Sequence, residues 1–98
     1  MLAAVEVLVP TKQKTLRQIR LGLGMSLREL QASSKTILGR RVHYNVILRA
    51  EHGEPITELT ATRLLLTINA LYTIRGRPTL TLDDITWNIR DRKIEDTS

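Results

Sequence analysis

Arg40-Arg41-Val42-His43-Tyr44-Asn45-Val46-Ile47-Leu48-Arg49-Ala50-Glu51-His52-Gly53 reads as one short helix with an apolar side and a hydrogen-bonding side. Helical spacing turns Val42, Ile47 and Ala50 inward. His43, Tyr44, Asn45 and Arg49 then share the outer side. Two arginines lead into the segment, and Gly53 supplies the residue that most easily takes the left-handed conformation just past a helix end.

Working toward the N-terminus, Ser26-Leu27-Arg28-Glu29 has the form of a capping box, in which serine accepts the N3 amide and glutamate reaches back to the cap amide. It predicts a helix running to about Leu38, stopped by Gly39, with Leu27, Leu30, Ile37 and Leu38 buried. Before it, Leu16, Ile19, Arg20 and Leu23 recur at intervals of three and four, which predicts a helix capped by Thr11 and ended near Gly22 and Gly24.

Toward the C-terminus, Gly53 and Pro55 interrupt the chain. A further helix is expected from Thr57 or Thr60, with Leu64, Ile68 and Leu71 on one face and Leu65 and Tyr72 beside it. Arg75-Gly76-Arg77-Pro78 reads as a turn. Thr81-Leu82-Asp83-Asp84 then predicts a last helix start, the two carboxylates favoured by the helix dipole. Ile85, Trp87 and Ile89 do not share one helical stripe, and Arg90 to Ser98 reads as a charged, fraying end.

The expected fold is therefore all-α: a compact bundle of about five short helices over residues 11–90, an extended segment at 1–10 and a charged tail at 91–98. A chain of 98 residues has room for one modest core. In the N-terminal segment, Val5, Val7 and Val9 alternate with Ala4, Glu6 and Leu8, a strand period. Pairing across a dimer, packing on its own domain and remaining a flexible tail are all open to it.

The net charge is +5. Its distribution says more than its total. From Lys12 to Arg49 there are nine positive residues and only Glu29 is negative, so this half carries +8 and the remainder −3. Such asymmetry fits a face for phosphates, against the plain alternative of a solvated basic surface. With its polar outer side, the helix at about 43–51 fits the major groove of DNA.

Other chemistries find little support. There is no cysteine, hence no disulfide or thiolate metal site, and a cytoplasmic setting is the default expectation. His43 and His52 lack the companions of a metal site. No phosphate loop or activated nucleophile is present, so no enzyme, cofactor or small-molecule substrate is expected. Met1 to Pro10 is too short to span a bilayer and has no basic leader, which argues against a membrane anchor or signal peptide. The three aromatic residues are too few and too scattered for a single-strand stacking platform.

Taken in order, three features resemble the lambda repressor and Cro-like helix-turn-helix family, also called the xenobiotic-response-element family. They are Arg20 followed by Gly24 and Ser26-Leu27-Arg28-Glu29-Leu30, the segment Val42 to Arg49, and Glu51-His52-Gly53. The resemblance covers about residues 11–72. Leu38-Gly39-Arg40-Arg41-Val42 is similar to the variant with a longer second helix, and Gln31 stands where the family usually has alanine.

The resemblance implies that the third helix reads the major groove, with His43, Tyr44, Asn45 and Arg49 at base-contacting positions. Asn45 suits adenine, Arg49 suits guanine, and Tyr44 suits a phosphate or a thymine methyl. Arg28 is implied to touch the backbone or an outer base, and Arg40 and Arg41 to clamp the strand. Taken singly, each of these arginines reads first as a solvated charge, and only their joint position around one helix favours contact with DNA. Arg20 and Glu51 are implied to pair beneath the motif as a structural ion pair.

The resulting expectation is a sequence-specific, double-stranded DNA-binding transcriptional regulator, prokaryotic or phage and of repressor type. It is expected to act as a homodimer, with Leu65, Tyr72, Trp87 and the Val5-Val7-Val9 segment as interface candidates, although any single one of them reads first as ordinary core packing. The alternative is an antitoxin or adapter that mainly holds a protein partner, with DNA binding secondary.

Overall fold

The computed structural model describes residues 13–90. The Val5-Val7-Val9 segment, Thr11 and the tail beyond Arg90 lie outside the described residues. The elements in order are β1 (Lys14–Thr15), α1 (Leu16–Gly22), α2 (Leu27–Leu38), α3 (Tyr44–Glu51), α4 (Glu58–Ile74), a 3₁₀ turn (Leu82–Asp84) and β2 (Ile85–Thr86). The chain is mostly helical, with four α-helices and one small two-stranded sheet among the described residues.

Local chemistry accounts for the helix starts. Thr15 Oγ1 accepts from the Gln18 amide at 3.0 Å while Gln18 Oε1 accepts from the Thr15 amide at 2.9 Å. This reciprocal cap replaces the expected start at Thr11, because Lys14 and Thr15 are extended and pair with another strand. Ser26 and Glu29 form the same box at the head of α2, and Thr57 accepts from the Thr60 amide at the head of α4. Helix α2 ends at Gly39 in the left-handed conformation, φ 78°, where a side chain would be strained.

The core gathers one stripe from each helix. Leu16, Ile19 and Leu23 come from α1 and its C-cap, Leu30 from α2, Ile47 and Ala50 from α3, and Ala61, Leu64, Ile68 and Tyr72 from α4. Val42 and Ile56 close it from the connecting segments and Ile85 from β2. Helix α2 packs against both α4 and α3, and α1 lies against α3. Of the residues expected inside α2, Leu30 is buried and Leu27 and Leu38 pack on the core, whereas Ile37 lines a shallow surface groove with Leu71 and Ile74. The slot at the centre of that stripe belongs to Ser34, fully buried.

No fifth α-helix forms at Thr81. Asp84 caps back onto Thr81, but the turn lasts only Leu82–Asp84 before the chain becomes extended. Ile85 and Thr86 pair in parallel with Lys14 and Thr15. Further on, Asn88 O accepts from the Ile56 amide at 2.9 Å and the Arg90 amide donates to Ile56 O at 2.7 Å. The C-terminal segment therefore stitches the entries of α1 and α4 together, and Arg90 is tied down rather than frayed. The loop before it is fixed by Asn69, whose side chain bonds both the N–H and the C=O of Leu80 at 2.8 Å.

Interface candidates are redistributed accordingly. Tyr72 is buried in the core, and Leu65 and Trp87 pack against it, the Trp87 indole donating to Leu82 O. Among the described residues, the exposed large apolar side chains are instead Leu21, Leu59, Leu66 and Ile74. Among the described residues, no helix is long and apolar enough to cross a membrane.

Candidate nucleic-acid interface

Helix α3 is held from below and from its N-terminal end. Beneath it, Arg20 of α1 meets Glu51 in the last turn of α3 through a fork: Nε and a terminal nitrogen donate to the two carboxylate oxygens at 2.5 and 2.9 Å. The remaining terminal nitrogen donates to Met25 O at 3.0 Å, so one guanidinium ties α1, α3 and the α1–α2 turn together. Glu51's side chain is 2 % exposed and Arg20's 11 %. The hydrogen bonds to Glu51 raise the Arg20 pKa above its ordinary value, opposed by desolvation and assisted by the attraction of the carboxylate.

At the N-terminal end, residues 39–43 join α2 to α3. His43 is the cap, its Nδ1 accepting from the Asn45 amide at 3.1 Å. The Tyr44 amide donates to Gln31 Oε1 at 2.7 Å, and the buried Val42 amide donates to Ser34 Oγ at 2.7 Å. Ser34 in turn donates to Gln31 O at 2.6 Å. Among the described residues no buried side-chain polar atom is left without a partner.

Of the residues proposed from sequence to contact DNA, three meet. The His43 and Tyr44 rings stack with centroids 4.7 Å apart at 26°, and the Arg28 guanidinium lies 4.7 Å over the Tyr44 ring. Arg28, at the head of α2, is thereby brought to the head of α3. Such a contact adds roughly 0.5–1 kcal/mol at an exposed site and holds the cation in place. Tyr44 is half-buried in this cluster, its face covered and not turned freely outward.

Asn45 and Arg49 are exposed one helical turn apart on the outer face of α3, and His52 at its C-cap continues the same line. Arg40 and Arg41 are exposed in the turn that feeds the helix. Arg49 already has a local partner: its Nε lies 3.4 Å from Glu54 Oε1, both side chains being more than half exposed. A pair this exposed contributes little to stability, so Arg49 can exchange partners.

The roles of Gln31 and Ser34 escaped the sequence reading, as did the alignment of His52 with Asn45 and Arg49. One signal was available for Ser34: it interrupts the apolar stripe of Leu27, Leu30 and Leu38 at a core position. For Gln31 the signal was its departure from the alanine usual in the resembling family, but its acceptor role exists only once α3 folds back across α2. Compared with known proteins, the chain matches no family model, no curated protein and no solved structure.

Proposed function

We propose that this chain is a sequence-specific, double-stranded DNA-binding protein of helix-turn-helix type, a dimeric transcriptional regulator that reads the major groove with α3. The observation that carries the reading is the outer face of α3: Asn45, Arg49 and His52 in one exposed line, with Arg28, His43 and Tyr44 clustered at its head. An α-helix fits the width of the major groove, and amide and guanidinium side chains match the donor and acceptor pattern of adenine and guanine there.

Phosphate contacts fall to Arg40 and Arg41, exposed beside the groove-facing helix. Arg20 and Glu51 take no part in contact, being committed to each other under α3. A cap on each helix and a full set of partners for the buried polar groups keep the reading surface stiff, which direct readout needs.

One short helix reads few base pairs, so two copies on half-sites about one helical turn apart complete the proposal. The outer stripe of α4 supports an interface: Leu59, Leu66 and Ile74 are exposed, and Ala70 lies between them on the same face. The same stripe favours the second reading, an antitoxin or adapter that holds a protein partner.

Selection of bound sites from random duplexes tests the proposal. A two-fold symmetric motif with half-sites about 10 base pairs apart is the expected result. Recovery of no preferred sequence, together with copurification of a stable protein partner, overturns it in favour of the adapter.

A further inference from the structure

We infer that Gln31 is a positioning residue for base recognition, its side-chain carbonyl setting the direction in which the first turn of α3 presents Tyr44 and Asn45. This deepens the DNA-binding reading and rests on it. Two side chains on one face of α2, Gln31 and Ser34, grip two backbone amides on either side of His43. Gln31 Oε1 accepts from Tyr44 and Ser34 Oγ accepts from Val42, each at 2.7 Å. One such bond would fix a point, whereas two fix a direction.

The two bonds do different jobs. Val42 is buried, so its amide has no water to turn to, and Ser34 is a requirement of folding. Tyr44 is half-buried in the first turn of a helix, where water ordinarily satisfies the free amides. Immobilising a long glutamine side chain for that amide carries an entropic cost that water would not. What the glutamine adds is orientation.

The Tyr44 ring transmits it, being held by its contacts with His43 and Arg28. Asn45, the next residue, inherits the aim of its backbone. Bidentate pairing with a base edge weakens steeply as the donor angle degrades, so a small loss of aim costs discrimination before it costs attraction to phosphate.

The test uses Gln31→Met, which keeps the length of the side chain and removes the acceptor, and Gln31→Glu, which restores an acceptor. Two quantities are read in the full chain: amide hydrogen exchange at Tyr44 and Val42, and affinity for the selected duplex, a single-base variant and a random duplex at one salt concentration. In Gln31→Met, Tyr44 exchange is expected to rise about tenfold with Val42 within about twofold. Preference for the selected duplex over its variant is expected to fall about tenfold, with random-duplex affinity within about twofold. Gln31→Glu should recover protection at Tyr44.

Unchanged Tyr44 exchange in Gln31→Met overturns the inference, as does wild-type preference retained after that protection is lost. Either result leaves the DNA reading standing. A wild-type chain that prefers no duplex sequence overturns that reading and this inference with it.

Discussion

At the scale of single residues, the structure separates side chains that hold α3 from side chains that α3 presents. Glu51 belongs to the first group: its carboxylate is almost fully enclosed and satisfies two guanidinium donors. Glu51→Ala leaves Arg20 charged and unpaired, with an expected loss of about 3–5 kcal/mol, read as a large fall in Tm. Because the Arg20 pKa is raised, its own contribution is complete below the ordinary arginine pKa and disappears only as pH climbs through the raised value. Titration of Arg20 therefore contributes no pH dependence between acid and moderately alkaline conditions. Asn45 and Arg49 belong to the second group. Asn45→Ala and Arg49→Ala are each expected to cost about 1–3 kcal/mol of preference between the selected duplex and a variant at the contacted base. Arg41→Ala should weaken all duplexes alike and reduce the slope of log affinity against log salt by about 1. Anisotropy titrations at several salt concentrations distinguish these outcomes, and a salt slope unchanged by Arg41→Ala refutes a phosphate contact there.

At the scale of elements, the helix grammar of the chain was legible because caps act within a few residues. Ser26, Glu29 and Gly39 bound α2 where the pattern put them. Ser26→Ala should lower stability by about 1 kcal/mol through the lost cap. Gly39→Ala should cost about 1–2 kcal/mol through its left-handed backbone. Denaturant titration measures both. The start of α1 and the fate of the segment after Asp84 were less legible. Thr15-Leu16-Arg17-Gln18 carries its own capping pattern, but Lys14 and Thr15 are extended because a strand from the far end of the chain pairs with them. Ile85, Trp87 and Ile89 are spaced by two, the period of a strand, and that spacing was the available sign that no helix would form. Ile85→Ala removes a core side chain and loosens the only ladder among the described residues, with an expected cost of about 2–5 kcal/mol by denaturant titration. A loss below about 0.5 kcal/mol, within the range of an ordinary surface substitution, would show that this segment does not anchor the domain.

At the scale of the whole molecule, the two long faces of α4 make different demands. Ala61, Leu64, Ile68 and Tyr72 fill the core, while Leu59, Leu66 and Ile74 stand in solvent on the opposite side. A helix apolar on both sides ordinarily has neighbours on both. Leu66→Glu leaves the core untouched and places a charge in the middle of the outer stripe. The expected outcome is a shift from dimer to monomer in sedimentation, weaker binding to a two-half-site duplex, and a single half-site affinity unchanged within about twofold, since groove reading by one protomer is independent of the interface. A mass unaffected by the substitution removes α4 from the interface. Charge acts at the same scale: on the proposed reading, the excess of +8 between Lys12 and Arg49 would draw a polyanion from a distance, whereas the few residues of α3 would determine which sequence is held.

The sequence by itself determined the mostly helical character, the cap of α2, the stops of α2, α3 and α4, and which side of α3 carries polar groups, because periodicity and capping are local and leave their mark within a few residues. Tertiary structure decided the rest. Pairing of residues 14–15 with 85–86, the seat of Gln31 against the Tyr44 amide and the burial of Ser34 against Val42 all join segments apart in the chain. Such contacts depend on where each helix comes to rest against the others, and no spacing within a single segment encodes that.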